Sequence, residues 1–331
     1  MKKIKVFLLV SLLLVICFPM HTVSAANKVN MQSVLRTYKE FAKYYDASAS
    51  GQMPLAYTNY AAQGMCVAGD YLLIAYYDTE EENNSLIQIM SKDSKQWLGT
   101  VYLPDKTHAG GLAFDNNSKD PYIWICDDSS SEKYSISAIS FTRIKESVEQ
   151  KVCIDIDYLK TINLDIRSSF CTFFDGYLWI GEFDDKADGK VRGYEIEMMR
   201  AGALPTNYKS FQAPSKTQGM CFTKVDNEVY LLLSRSYGRY ATSTSELRIY
   251  KPSYTNPTKD GFIYKNDAIK HFTLPLMAEG IACTSDYVYV VYESTSNKYN
   301  AECPYPVDKC TALRLVSTRW HSGVIKNYGI K

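Results

Sequence analysis

A strand–turn–strand unit recurs five times along this chain of 331 residues. Each copy joins a short first strand to a longer, apolar second strand that ends in polar residues. The first strands begin near Gln63, Gly111, Ser169, Gln218 and Glu279. Self-similarity at a spacing of about fifty residues is the signature of a repeat architecture. The repeat therefore limits the possible folds far more than it limits the possible reactions.

The segments that follow each copy predict the rest of each unit. Short strand patterns separated by turn residues indicate four strands per unit, and four-stranded units repeated radially form a β-propeller. We therefore predict an all-β, five-bladed β-propeller of four-stranded blades, with a short N-terminal helix. The long spans after Lys145 and Lys251 leave a six-bladed ring as the alternative.

The fifth unit has a third strand near residues 312–317 but no clear fourth strand. Residues 54–60 read as a strand directly before the first unit, and we predict that this strand closes the ring beside residues 312–317. Such closure hides a sheet edge that would otherwise invite aggregation. Residues 323–330 are the alternative closing strand. The spacing of apolar residues over 31–45 predicts a helix, and the small residues 46–51 read as a linker.

The N-terminus has the organisation of a secretory signal peptide. A basic start at Met1–Lys5 precedes an apolar run over 6–18 and the small-residue cleavage site Val23-Ser24-Ala25. The run is too short for a comfortable membrane span. We predict a secreted protein with a signal peptide at 1–25, a helix and linker at 26–53, and the propeller at 54–331.

The formal net charge is +1, and no basic stripe interrupts the sequence. Nucleic acid is therefore not an expected partner. No later segment is long and apolar enough to span a bilayer. We expect a monomer whose partner is an extracellular small molecule, a glycan or a protein.

Cysteine spacing points to one disulfide. Cys303 and Cys310 flank two prolines in a short insertion, and we predict that they are joined. In the chain-entropy view, such a ring stabilises by about 2.5 kcal/mol. Cysteines in the first strands, such as Cys66, Cys171 and Cys221, are predicted to be packing residues at a crowded axis. The chain has four histidines and lacks a C-x₂-C pair, so we expect no metal site of the zinc type.

The candidate ligand site follows from propeller topology. The chain enters each first strand and leaves each second strand on the same face, so polar residues distant in sequence gather at one axial mouth. A polar funnel above apolar strands is a usual form of a ligand site. The predicted ligand-binding residues are Gln63, His108, Asp128, Glu182, Asp184, Gln218, Arg235, Tyr237, Arg239, Glu279 and Glu293.

The loop 234–239 carries two of these arginines around a glycine. A guanidinium binds oxygens with a planar fork, which suits an anionic or hydroxylated ligand. We expect Arg235 to face the axis, within salt-bridge reach of Glu279 or Glu293. Loop 184–195 partly matches a calcium loop, although Lys186 stands where an oxygen ligand is normal. Calcium therefore remains the alternative to a plain β-hairpin loop, and no other cofactor is assigned.

Two functions fit these residues. The first is a secreted recognition protein that holds a glycan, peptide or anionic small molecule at the mouth. The alternative is a hydrolase, glycoside-acting for example, that uses mouth carboxylates. The sequence has no G-x-S-x-G nucleophile elbow, and we assign no catalytic residues.

Three segments carry a resemblance to a known group. They are Gln63-Gly-Met-Cys66, Ser234-Arg-Ser-Tyr-Gly-Arg239 and Met277-Ala-Glu-Gly-Ile281. With the repeats over residues 54–320, they resemble secreted bacterial β-propeller proteins of uncharacterised function. The resemblance implies the propeller fold and assigns no catalytic residue. Some five-bladed propellers are glycosidases, but their three acids have no residue-by-residue match in this sequence.

Overall fold

The structure is a computed structural model, which describes residues 29–117, 119–127, 134–225, 227–251 and 268–314. The predicted signal peptide, Asp128 and the alternative closing strand at 323–330 lie outside these residues. None of the described helices is long and apolar enough to cross a membrane.

Five sheets, each built on four antiparallel strands, form the blades, which confirms the five-bladed prediction. The closing strand of the ring, β1 (Tyr45–Gln52), comes first in the chain. Blade 1 contains β2 (Tyr60–Ala68), β3 (Tyr71–Asp78), β4 (Leu86–Ser91) and β5 (Trp97–Tyr102). Blade 2 contains β6 (Leu112–Asp115), β7 (Tyr122–Asp127), β8 (Tyr134–Ser140) and β10 (Lys160–Leu164). The short strand β9 (Cys153–Asp155) comes between β8 and β10 in the chain. Blade 3 contains β11 (Phe170–Phe174), β12 (Tyr177–Gly181), β13 (Gly189–Glu195) and β14 (Lys209–Ala213), and blade 4 contains β15 (Thr217–Val225), β16 (Glu228–Tyr237), β17 (Thr244–Tyr250) and β18 (Lys270–Thr273). Blade 5 contains β19 (Ala278–Cys283), β20 (Val288–Tyr292), β21 (Lys309–Leu313) and β1.

Short helices lie outside the sheets. They are α1 (Met31–Thr37), α2 (Lys39–Tyr44), α3 (Phe141–Gln150), α4 (Ile196–Arg200) and α5 (Asn297–Asn300). The predicted N-terminal helix is therefore present as two short pieces, α1 and α2. Val34 and Phe41 are their fully buried side chains, and both pack into the core between blades 4 and 5.

An N-terminal strand closes the ring as expected, but the predicted strand was wrong. Residues 54–59 form turns and Tyr60 begins β2, whereas β1 pairs with β21 in antiparallel register from Tyr45 opposite Leu313 to Gln52 opposite Lys309. Small side chains suit this position because the strand lies against blade 1. A Cβ on Gly51 would stand 2.6 Å from Lys95 Cβ. Of the residues that we interpreted as a linker, Ala49, Ser50 and Gly51 are buried, and the close approach at Gly51 shows how narrow the space is there.

The fourth strand of blade 2 lies further along the chain than the sequence pattern predicts: the strand pattern over residues 151–156 indicates this strand, but the structure uses β10. An amphipathic helix, α3, intervenes, and Ser140 caps its N-terminus by accepting a hydrogen bond from Thr142 N at 3.2 Å. Ile144 and Ser147 on the inner face are fully buried, and Ser147 Oγ donates to Thr100 O in β5. β9 then pairs in parallel with β5 of blade 1, and β10 completes blade 2.

First strands approach each other closely around the axis. A Cβ on Gly280 would lie 2.4 Å from Gln63 O, and one on Gly219 would lie 2.8 Å from Glu279 O. A Cβ on Gly64 would lie 2.8 Å from Ala109 O. Glycine is required at these positions because backbone meets backbone. The contact brings the starts of neighbouring first strands side by side, which positions the site described below.

Further along the axis, a cavity of about 100 Å³ is lined by the first strands. Cys66, Ala113, Cys221 and Ala282 lie at its wall, as small residues at a crowded axis should. In blade 3 the lining residue is Thr172 rather than Cys171. Cys221 also forms a disulfide with Cys283, with the two Cα atoms 6.3 Å apart, and so links the first strands of blades 4 and 5.

The predicted disulfide between Cys303 and Cys310 was wrong, because the structure has both as buried thiols. Cys310 lies in β21 and packs in the core between blades 5 and 1. Cys303 packs in a separate cluster with Leu276, Met277 and Tyr299. The two prolines do bend the chain, but the bend sends the two sulfur atoms into different clusters.

Candidate functional site

Three irregularities in strand pairing turn polar side chains toward the axial mouth. The ladder shifts between Ala62 and Met65, between Thr217 and Gly219, and between Ala278 and Ile281. The polar residues inside these three shifts are Gln63, Gln218 and Glu279. A β-bulge re-aims a side chain at the edge of a sheet, and bulges are common next to active sites. The repeated glutamine or glutamate before a glycine therefore marks one position, used by three blades.

Gln63 is the centre of the side-chain network. It is buried, and its Nε2 donates to Glu293 Oε2 at 3.2 Å. Its Oε1 lies 3.1 Å from His108 Nε2, so the imidazole donates from Nε2. Gln218 Nε2 makes the corresponding contact to Glu279 Oε1 at 3.4 Å. Residues from blades 1, 2, 4 and 5 therefore meet at the mouth, as the sequence predicted for these five side chains.

Glu279 and Glu293 lie close enough for the charge of Glu293 to affect the pKa of Glu279. Glu279 is buried, and the loss of water together with the neighbouring charge of Glu293 raises its pKa well above the ordinary value. Burial also raises the pKa of Glu293 to about 7, although Arg239 and the hydrogen bond from Gln63 act in the opposite direction. Two neighbouring carboxyl groups away from water resist double ionisation. Near neutral pH the pair therefore retains a proton.

Two tyrosines and a histidine stand beside this pair. The rings of Tyr77 and His108 lie 4.3 Å apart between centroids, and the hydroxyls of Tyr77 and Tyr299 are 2.6 Å apart. Burial raises the pKa of Tyr77, and the charge of Glu293 raises it further. Both phenols are therefore neutral donors. The guanidinium of Arg239 lies 4.2 Å from the Tyr299 ring centroid and pairs with Glu302 at 3.4 Å.

A pocket of about 480 Å³ opens next to this network. Its lining residues are Tyr77, Asp78, Glu81, Asp105, Lys106, Thr107, His108 and Arg167. Tyr77 and His108 belong both to the pocket wall and to the network around Gln63. Burial raises the pKa of Asp105, which accepts a hydrogen bond from Tyr158 at 3.0 Å. The wall therefore combines aromatic surface with several polar groups, as ligand pockets commonly do.

Three other predicted residues lie on the same face but outside the network around Gln63. Glu182 accepts from Arg167 N and from Lys190 N, each at 3.2 Å. Asp184 is exposed and accepts from Lys186 N at 2.7 Å. Tyr237 stands exposed on the rim.

Arg235 does not reach Glu279 or Glu293, so the predicted ion pair was wrong. Its Nη1 lies 3.4 Å from Glu246 Oε2, and its Nε donates to Ser215 O at 2.8 Å. Arg235 and Glu246 are directly opposite in the ladder between β16 and β17. Residues in such register share one face at close range, so the guanidinium pairs within its own blade instead of facing the axis.

The loop 184–195 does not assemble as a calcium loop. The carboxylate of Asp184 accepts backbone N–H groups of its own turn, and Asp188 accepts from Ser215 N at 3.2 Å. Glu195 lies at the far end of β13, so the strand carries it away from Asp184. Within the described part of the chain, no group of three or more histidine, cysteine, aspartate or glutamate side chains could hold a metal ion.

Sequence reasoning missed Tyr77, Asp105 and Tyr299. Tyr77 directly precedes Asp78 at the end of β3, and a search for aromatic residues at strand ends could have found it. Tyr299 belongs to α5, in an insertion without a repeat counterpart. No sequence signal placed it against Tyr77.

No protein-family profile and no curated protein matches the chain. Among solved structures, it is similar to an α-L-arabinofuranosidase from Lactobacillus brevis, with 11% identity, a TM-score of 0.52, and coverage of 87% of this chain and 97% of that one. A Bombyx mori β-fructofuranosidase of glycoside hydrolase family 32, in complex with sucrose, has 12% identity, a TM-score of 0.50, and coverage of 88% and 69%. A glycoside hydrolase family 43 enzyme from Xanthomonas citri has 12% identity, a TM-score of 0.49, and coverage of 89% and 96%.

These likenesses concern the fold. The chain is a five-bladed β-propeller, and its structural neighbours include propellers of glycoside hydrolase families. At this level of identity the likeness assigns no substrate and no catalytic residue to this chain.

Proposed function

We propose that the axial mouth is a binding site for carbohydrate. The observation that carries the proposal is the position of Gln63, which joins His108 to Glu293 at the edge of a pocket of about 480 Å³. Tyr77 and His108 belong to both features, so a ligand in the pocket would contact the network directly.

The chemistry of these groups suits hydroxyl-rich ligands. A sugar hydroxyl both donates and accepts, and the site offers amide, imidazole and phenol groups together with a carboxyl pair that retains a proton. The Tyr77 ring adds an aromatic face for the apolar side of a sugar. Because the network is already bonded without ligand, few side chains need to be ordered on binding.

We also propose that the protein acts outside the cell. The disulfide between Cys221 and Cys283 supports this location, because disulfides persist mainly in oxidising compartments. The signal-like N-terminal sequence agrees with it.

Calorimetric titration with a panel of mono- and disaccharides tests the binding proposal. Gln63→Ala leaves Glu293 without its amide donor, and we expect it to weaken binding about tenfold or more. Lys92→Ala, in a hairpin at the opposite end of blade 1, is the matched control and should bind as the wild type does. If Gln63→Ala folds normally and binds every ligand of the wild type equally well, the proposed site is wrong.

Hydrolysis is the second candidate function. The carboxyl pair of Glu279 and Glu293 favours it, because a carboxyl group with a pKa of about 7 can donate and accept a proton at neutral pH. Aryl glycosides that release nitrophenol provide the assay. We expect activity in the wild type and a loss of at least about a hundredfold in Glu293→Gln. A folded wild type that binds sugars and releases no nitrophenol would contradict hydrolysis and leave binding intact.

A further inference from the structure

Three aromatic residues stand on the mouth face where blades 3 and 4 end, and we call Phe183, Tyr237 and Tyr240 the aromatic rim. Tyr237 is 49% exposed and Tyr240 is 63% exposed. Phe183 is partly buried, and its ring centroid lies 6.2 Å from that of Tyr237 at an interplanar angle of 36°. Single exposed tyrosines are ordinary on a protein surface. Here Tyr237 ends β16 and its ring meets Phe183 of the neighbouring blade, and Tyr240 lies in the loop that follows.

The loop that follows Tyr237 and carries Tyr240 forms a turn that hydrogen bonds close. Gly238 has a φ of +89°, and a Cβ at this residue would lie 2.4 Å from Ser243 Oγ. Tyr240 N donates to Ser243 Oγ at 3.2 Å, and Ser243 N donates to Tyr240 O at 2.7 Å. The backbone that presents the rings is therefore ordered before any ligand arrives, which lowers the entropic cost of binding.

Contacts on two sides connect the aromatic rim to the pocket. On one side, Arg239 of the same loop stacks on Tyr299, whose hydroxyl meets that of Tyr77 in the pocket wall. On the other side, Glu182 precedes Phe183 and accepts a hydrogen bond from the backbone of Arg167, a second lining residue. The rim and the pocket are thus two parts of one continuous face.

The size of the aromatic rim favours a slender ligand over a protein partner. An aromatic side chain offers at most about 250 Å², and Tyr237 is 49% exposed, Tyr240 63% exposed and Phe183 only partly exposed, so the three rings together supply less than about 400 Å². A stable protein interface buries about 800 Å² on each partner. The rings lie among charged groups, with Lys216 Nζ 5.4 Å from the Tyr237 centroid. Ring faces surrounded by polar groups fit a sugar, which has C–H bonds on one face and hydroxyls around its edge.

We propose that the aromatic rim is a second subsite, which stacks sugar units of a glycan whose end lies in the pocket. The inference rests on the proposed carbohydrate binding and adds that the ligand is an oligosaccharide. The pocket holds the terminal units through hydrogen bonds, and the rim holds later units through ring stacking.

Titration with di- and tetrasaccharides of the malto-, cello-, xylo-, arabino- and fructo-series tests this subsite. We expect the wild type to bind a tetrasaccharide more tightly than the matching disaccharide. Tyr237→Ala and Tyr240→Ala should each weaken tetrasaccharide binding about three- to tenfold and leave disaccharide binding unchanged. Tyr237→Phe retains the ring and should retain the affinity. Trp97→Ala removes a ring that is 50% exposed at the opposite end of blade 1 and should change nothing.

The outcomes separate the two proposals. If saccharides bind with no dependence on length, or if Tyr237→Ala equals Trp97→Ala, the second subsite is wrong and the pocket proposal stands. If no saccharide binds to the folded wild type, both proposals are wrong. If an array of immobilised peptides shows binding that needs Tyr237, in place of saccharides, the rim docks a peptide and the inference is overturned.

Discussion

At the scale of single residues, the site depends on side chains that break the regular strand pattern. Gln63, Gln218 and Glu279 point to the mouth because their strands shift register beside a glycine. The close approach of neighbouring backbones at Gly280 and Gly219 leaves no room for a Cβ there. The same crowding that demands glycine therefore sets the direction of the polar side chain before it.

Arg235 in β16 and Arg239 in the loop that follows β16 should affect different properties of the protein. Arg235 is largely buried and bonded to Glu246 and Ser215, whereas Arg239 reaches the mouth and lies over Tyr299. We expect Arg235→Ala to lower the free energy of unfolding by about 1–3 kcal/mol, because Glu246 loses a charged partner, with binding unchanged. Arg239→Ala should weaken saccharide binding and leave the free energy of unfolding unchanged. Urea unfolding and saccharide titration of both variants measure these effects, and equal behaviour of the two variants would contradict the assignment.

The Glu293 carboxyl predicts how stability depends on pH. Its pKa in the folded state is raised from 4.5 to about 7, so the folded protein keeps a proton that the unfolded chain has released. The free energy of unfolding should therefore fall as the pH rises from about 4.5 to about 7. Glu293→Gln should make this part of the curve less steep, with the remaining slope due to Glu279, and make the protein more stable than the wild type at pH 8. Denaturant unfolding at a series of pH values measures both effects.

Glu246 provides a control of opposite sign. Burial alone would raise its pKa, but the hydrogen bond and charge of Arg248 and the charge of Arg235 outweigh burial and lower it. Its contribution to stability is present at neutral pH and is lost as the pH falls through the lowered pKa. Glu246→Gln should therefore lower stability at pH 7. We expect Glu293→Gln to raise stability at pH 8 and Glu246→Gln to lower it. If both variants raised stability at pH 8, the different environments of the two carboxyl groups would not explain the effect of Glu293→Gln.

At the scale of elements, the short strand β1 decides whether the ring closes. It contributes the outer strand of blade 5, although it comes before blade 1 in the chain. Ser50 Oγ accepts from Ala312 N at 2.9 Å, and Asp46 pairs with Arg314 at 2.7 Å, so side chains reinforce the ladder. Ring closure of this kind removes the open edge of the last sheet.

Removal of β1 should lower the free energy of unfolding sharply. We compare a protein that begins at Tyr45 with one that begins at Met53. We expect the second to be less stable than the first by about 3–5 kcal/mol, because blade 5 loses its outer strand and the buried Ala49. Thermal and urea unfolding of both proteins give the difference. Equal unfolding curves would show that β1 does not hold the ring.

At the scale of the whole molecule, the disulfide between Cys221 and Cys283 ties the first strands of the last two blades. It bridges a sequence separation of 62 residues. In the chain-entropy view, a loop of this length gives about 4 kcal/mol. Replacing both cysteines by serine should lower the free energy of unfolding by about that amount.

Mass spectrometry of the oxidised protein checks the pairing itself. A disulfide-linked peptide should contain Cys221 and Cys283, and Cys303 and Cys310 should be alkylated once the protein is unfolded without a reductant. The variant Cys310→Ser is the control, because it removes a buried thiol and leaves the disulfide unchanged. Detection of Cys303 joined to Cys310 would contradict the structure.

The sequence by itself determined the repeat, favoured five blades over six, and predicted which polar side chains gather on one face. These properties depend on local periodicity and on strand order, which a sequence displays directly. For the same reason, Gln63, His108, Gln218, Glu279 and Glu293 were placed together correctly: each follows or precedes a recognisable strand.

Only the tertiary structure decided which side chains meet. Arg235 pairs with Glu246 because the two face each other across a ladder, and Cys221 pairs with Cys283 because two blades adjoin at the axis. The closing strand was hidden because its small side chains resemble a linker until blade 1 is packed against them. Register and packing between blades depend on residues far apart in the chain, and periodicity carries no information about them.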